Sequence, residues 1–324
     1  MENTYTKQKR WLPPSVTGFL FLAIVVSGSW PTLTAMHASK EGDGKPVWMT
    51  ESISVDTPAA LTLETSGGFI SIDSHQRNEI IVDFFVRKNR EYLSHTDDAP
   101  VEIMINKDNS IVEVFSDVKA DSRWFRRSPS ITVSYRVLAP QDTEIRARTS
   151  GGPVTGRNLT GNVFLITSGG GIEAQNISGN VLARTSGGPI TMKGIAGEMT
   201  LRTSGGGITV SDASGNIKAR TSGGPISLVD VSGSVEARTS GGPINAGILE
   251  IGEFLTLETS GGPVSVKLPD NQGLDIRASG ASIRNNLIDM DGLEEQRSLS
   301  GTVKGGGIPV NISTTGGHVQ LDYH

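Results

Sequence analysis

Apolar residues recur in columns 18 residues apart along the middle of the chain. One column runs Ile145, Val163, Val181, Met199, Ile217, Val235 and Leu255, and two residues later a second runs Ala147, Leu165, Ala183, Leu201, Ala219, Ala237 and Leu257. Beyond a polar turn stand Val154, Ile172, Ile190, Ile208, Ile226, Ile244 and Val264. Two residues further come Gly156, Ala174, Met192, Val210, Leu228, Ala246 and Val266, and then a third apolar contact at Leu159, Ile177, Ile195, Ala213 and Val231. A spacing of two within each pair is the strand period, not the 3.6 of a helix. Each unit therefore predicts two short strands and a third inward contact. The turn between the strands is one phrase, Thr149-Ser-Gly-Gly-Pro-Val, repeated from Thr167, Thr185, Thr203, Thr221 and Thr239. It returns from Thr259 at a spacing of 20, after an insertion near residues 247–252. A fixed short period means stacked units, each burying its apolar face against its neighbours.

The turns carry their own chemistry. The Gly-Gly pair is expected to supply backbone conformations that a Cβ resists. Pro153, Pro189, Pro225, Pro243 and Pro263 open the second strand, where a missing N–H is tolerated, and Gly161, Gly179, Gly197, Gly215 and Gly233 close each unit. A stack of hairpins would also show two strands per repeat. The third apolar column and the second glycine column favour a wound, three-faced coil, a parallel β-helix. Coils about 4.8 Å apart would make seven of them a rod about 30 Å long.

The Thr-Ser-Gly-Gly-Xaa-Ile phrase at this spacing, with the tail Ser298-Leu-Ser-Gly-Thr-Val-Lys-Gly-Gly-Gly, resembles the bacterial putative-adhesin family, a β-strand-repeat domain of unknown function. The likeness runs from about Leu61 to Leu321. It implies an all-β, right-handed parallel β-helix in an envelope or secreted protein, and it implies no catalytic residues. The last phrase, Thr314-Thr-Gly-Gly-His-Val, departs from the pattern in the manner of a terminal capping repeat.

Outside the regular repeats, residues 1–35 read as a targeting segment. Lys7, Lys9 and Arg10 precede an apolar run from Val16 to Val26, and small residues follow. The run is shorter than the roughly 20 residues that span a bilayer. A signal cleaved between Ser29 and Ala38 is expected, with an uncleaved anchor as the alternative. Residues 36–46 form a linker. Residues 47–148 alternate as strands without the 18-residue period, apart from an early phrase at Thr65, and are expected to cap the stack. Residues 149–268 are the regular coils, and 269–324 are degenerate coils and a cap, with a polar protruding loop expected at 284–297. No amphipathic helix is predicted.

Composition narrows the chemistry. The chain has 324 residues, 40 glycines and no cysteine. That excludes disulfides, a cysteine nucleophile, a thiol-linked lipid anchor and thiolate zinc sites. Loss of residues 1–35 would move the formal charge from −5 to −7, because three cations and Glu2 leave together. A mildly acidic protein argues against general nucleic-acid binding. No cofactor or metal site is predicted.

Several features could carry function. Arg148, Arg184, Arg202, Arg220 and Arg238 each precede the phrase's threonine, with Ile166 and Glu258 interrupting the series. By alternation they point outward, as a solvated face or as a stripe for an acidic polysaccharide or other envelope polymer, since arginine forks suit carboxylate and phosphate. The Thr-Ser column reads as coil-to-coil hydrogen bonding, because no histidine between His95 and His318 could serve a serine nucleophile. The glycine turns lack the Gly-Lys-Ser/Thr and following helix of a phosphate loop, and the aspartates of calcium-binding coils. Asp212 and Asp230 share one position with Asn158 and Asn176, as turn formers or as a carboxylate pair for sugar chemistry. Arg123, Trp124, Phe125, Arg126 and Arg127 mix basic and aromatic side chains that suit a membrane surface or partner, or fold back on the N-terminal section. Asn158-Leu-Thr, Asn176-Ile-Ser and Asn311-Ile-Ser match the glycosylation acceptor pattern. The reading favoured is an exported, non-catalytic surface or envelope module for adhesion or polymer binding. A polysaccharide lyase or hydrolase is the first alternative, and an envelope-stress or regulatory protein contacting membrane lipids the second.

Overall fold

The computed structural model describes residues 44–95, 97, 99, 101–118 and 130–324. The targeting segment 1–35 and the Arg123–Trp124–Phe125–Arg126–Arg127 loop lie outside the described residues. Every regular element among the described residues is a strand, and none is a helix.

Strand Val163–Ile166 pairs in parallel with Val181–Arg184, and that with Met199–Arg202; Ile172–Ser178 pairs in the same way with Ile190–Ala196. Val163 faces Val181 and Ile172 faces Ile190, so each strand meets its own counterpart one repeat on. Hairpins would have paired the two strands of a single repeat instead. The architecture is thus solenoid-like, with a continuous core: Ile145, Val163, Val181, Met199, Ile217, Val235 and Leu255 are all buried, and so is the third column from Leu159 to Val231. The insertion near residues 247–252 is absorbed by shifts in register. Ala246 still faces Leu228, but Leu255 faces Val235, and Leu249 is pushed into solvent.

The Gly-Gly pair is needed for a reason other than the one expected. None of these glycines has a left-handed φ. What requires them is proximity: a Cβ on Gly206 would stand 2.1 Å from the Gly188 carbonyl oxygen, and one on Gly224 would stand 2.0 Å from that of Gly206. The left-handed conformations lie in the closing column, where φ runs from 107° at Gly161 to 144° at Gly197.

Coil order in space departs from chain order at both ends. Ala59–Thr65 and Ile70–His75 form a coil flanked on one side by Thr143–Thr149 and Val154–Thr160. On the other side lie Ile111–Val118 and Ile131–Pro140. Likewise Ile308–Thr314 and His318–Tyr323 are inserted between the coil of residues 255–268 and that of Leu274–Ser279 and Ser282–Asn285. The Thr314 phrase is therefore an interior coil, not a terminal cap. Antiparallel strands continue the ladders outward: Glu79–Lys88 and Met49–Ser54 at one end, Ser298–Val303 and Met290–Glu294 at the other. The stretch expected as a protruding loop at 284–297 thus contains a strand. Its polar alternation suits an outer edge that faces water.

Candidate functional site

The phrase's threonine is buried in every coil. From Thr149 onward its hydroxyl donates to a glycine carbonyl of the neighbouring coil, as from Thr167 to Gly152 at 2.9 Å, Thr185 to Gly170 at 2.8 Å and Thr203 to Gly188 at 2.9 Å, while Thr65 donates to the Val133 carbonyl at 2.7 Å. The same oxygen accepts the N–H of the glycine three residues on, as from Gly206 to Thr203 at 3.3 Å. The hydroxyl is thus used, as donor and as acceptor, in joining the coils.

The arginines lie one residue earlier and are exposed. Arg184 faces Arg202, Arg202 faces Arg220, Arg220 faces Arg238, and Arg238 faces Glu258; Arg148 lies between Glu64 and Ile166. The structure brings the predicted residues into one line but divides them by charge. Glu236, on the adjacent outward column, accepts from Arg220 at 2.5 Å and from Arg238 at 2.6 Å, and Glu258 also pairs with Arg238. Burial acts to raise the Glu236 carboxyl, but the hydrogen bonds and charges of Arg220 and Arg238 outweigh it and hold the group below its ordinary value. Arg184 and Arg202 have no carboxylate within 4.0 Å among the described residues. Exposed serines, Ser168, Ser186, Ser204 and Ser222, run alongside them, and Lys218 adds a cation next to Thr200. The uncompensated part of the column is its middle.

Asp212 and Asp230 have φ of 53° and 54°, matching Asn158, Asn176 and Gly194 in the same column. These five residues make the corner at which the second strand bends toward the third contact, and Asn, Asp and Gly adopt that conformation most readily. Part of the column is a side-chain ladder, with Asn176 donating to Asn158 at 3.1 Å and Asn158 to Asp73 at 2.8 Å. His324 Nε2 stands 3.3 Å from Asp230 Oδ1, a pairing that 93 intervening positions hide from sequence inspection. No group of three or more His, Asp or Glu that could hold a metal occurs among the described residues.

One concavity was missed in the sequence. A cleft of about 470 Å³ opens beside the Gly67-Gly68 and Gly151-Gly152 turns, with Lys45, Arg87, Arg136 and Phe69 in its lining. The available signal was Phe69 itself, which stands where the other phrases have proline, glycine or, in the Thr314 phrase, histidine.

The Toastrack DUF4097 family matches residues 44–322 of the chain. Two solved structures are similar to it. One, a putative adhesin from Bacteroides fragilis, is 14 % identical, with 84 % of this chain and 96 % of that one covered and a TM-score of 0.37. The other, a putative cell adhesion protein from Clostridium sporogenes, is 14 % identical, with 85 % and 99 % covered and a TM-score of 0.21. No curated protein matches.

Proposed function

The chain belongs to the Toastrack DUF4097 family, and from that premise we propose that it is an exported, non-catalytic module of the cell envelope or surface that holds an acidic polymer. Its frame in this reading is a right-handed parallel β-helix of about 18 residues per coil, the spacing of the paired strands. The observation that carries the reading is the Arg184–Arg202 pair. Two exposed arginines stand in register on adjacent strands, whose backbones run about 4.8 Å apart, and neither is neutralised by a carboxylate among the described residues. Like charges so close repel, and a polymer bearing carboxylates or phosphates relieves that repulsion while accepting forked hydrogen bonds. Contacts repeated along a rod give retention by avidity. The carboxylate-pair enzyme has less support, since Asp212 and Asp230 occupy a backbone corner that asparagine and glycine fill equally well.

Replacing Arg184 and Arg202 together by serine tests this. Ser313 already occupies the same outward column, so the substitution suits the fold. Retention of the full chain on polygalacturonate should be lost in Arg184→Ser/Arg202→Ser and fall only slightly in Arg220→Ser/Arg238→Ser, where glutamates already screen the charge. Equal retention of wild type and the first variant would overturn the proposal.

A further inference from the structure

The cleft at the N-terminal end of the stack differs in kind from the arginine face. Arg87 and Arg136 come from strands Glu79–Lys88 and Ile131–Pro140 and Lys45 from the segment before Met49–Ser54, whereas the arginine column precedes the turn. The lining includes Lys45, Arg87 and Arg136, and it contains no aspartate or glutamate. Hydroxyl groups of Ser71 and Thr155 stand on the strand face beside them. A volume of about 470 Å³ is of the size that small-ligand sites have.

Phe69 sets this corner apart from every other. At the same phrase position stand Pro153, Gly171, Pro189, Gly207, Pro225, Pro243 and Pro263, and in the Thr314 phrase His318. Its ring is half-buried and rests against the fully buried Phe85, with centroids 5.6 Å apart and planes at 43°. Lys45 Nζ is 5.2 Å from the Phe69 centroid. Arg136 is held in a similar way: its guanidinium lies 4.7 Å from the Phe85 centroid, and its one ion-pair partner among the described residues, Asp83, is 4.0 Å away and already accepts from the Thr50 hydroxyl at 2.7 Å. Arg136 is thus oriented by an aromatic ring, a contact that does not use up its N–H donors.

We infer that this cleft is a binding site for a carboxylated sugar unit, one or two residues of an acidic glycan. A carboxylate meets Arg87, Arg136 and Lys45, sugar hydroxyls meet Ser71 and Thr155, and the C–H face of the sugar ring lies on Phe69. A bare anion would use the cations but not the ring. The site is independent of the Arg184–Arg202 face, and its loss would leave that face intact.

The test is calorimetric titration of the full chain with trigalacturonate, with galactotriose and inorganic phosphate as the comparison ligands. Trigalacturonate should bind, galactotriose should not, and phosphate should bind at least about ten-fold more weakly. Phe69→Gly restores the residue found at Gly171 and Gly207, and Arg87→Gln changes an exposed side chain. Each should weaken trigalacturonate binding about ten-fold, the worth of one charge-assisted bond or of the stacking surface. Arg184→Ser/Arg202→Ser should bind it as wild type does. No trigalacturonate binding, equal binding of the neutral sugar, phosphate binding as tight as trigalacturonate, or wild-type affinity in Arg87→Gln would each overturn the assignment.

Discussion

Replacement of Thr203 by valine isolates the hydroxyl ladder that joins the coils. Valine keeps the shape and β-branching of threonine, so the strand is not disturbed. What is lost is a hydroxyl on a side chain only 6 % exposed, donating to the Gly188 carbonyl at 2.9 Å and accepting from Gly206 at 3.3 Å. A buried carbonyl left without its partner costs about 1–3 kcal/mol, and the longer bond adds about 0.5–1 kcal/mol. The expected destabilisation is therefore about 2–4 kcal/mol. Thr203→Ser keeps both bonds and removes one methyl group, about 1 kcal/mol. Urea unfolding of the full chain, followed by far-ultraviolet circular dichroism, reads the difference as a lower midpoint at unchanged slope. Because each coil contacts only its neighbours, amide exchange should quicken at Gly206 in the valine variant while distant coils stay protected. If Thr203→Val and Thr203→Ser lie within about 0.5 kcal/mol of wild type, the ladder contributes little, and the repeat of the threonine needs another cause.

The two glycines of one turn should respond differently. Gly206→Ala puts a Cβ 2.1 Å from the Gly188 oxygen and should cost about 3 kcal/mol or more, while Gly205→Ala meets the Gly187 oxygen at 3.3 Å and should cost about 1 kcal/mol or less; thermal melts of the pair would show it. Acid should weaken the Glu236 cluster. Its carboxyl lies below the ordinary value in the folded chain, so the stabilisation is present above the unfolded carboxylate range and is lost as pH falls through the folded value. Glu236→Gln should flatten the acid limb of a stability–pH profile by about 1 kcal/mol or less, since Arg220 and Arg238 are themselves half-exposed. An unchanged acid limb would contradict that assignment.

Strand placement could be read from the sequence because alternation and the 18-residue period report directly on which side chains face inward. The glycine pair was legible as a turn but not in its cause. The approach of Gly206 to Gly188 is a contact between coils, and composition looks the same whether a glycine is chosen for φ or for room. Coil order was beyond sequence reasoning for a related reason. The phrases at Thr65 and Thr314 show that those residues form coils, yet nothing local says that each is enclosed between two others. The arginine column was visible as a line of like charge. Its division into a neutralised end and an open middle depends on Glu236, which belongs to the adjacent outward column. Pairings across long separations were hidden altogether, such as the Gln272 side chain that bonds both the N–H and the carbonyl of Ile251, at 2.7 and 2.9 Å.

The central claim is that this protein holds an acidic polymer without altering it. The most direct measurement incubates the full chain with acidic and neutral polysaccharides and reads retention and newly formed reducing or unsaturated ends in the same samples. Retention of the acidic polymers, weakened by salt and with no new ends, is the predicted result. New ends would contradict the account and turn attention to Asp212, Asp230 and His324.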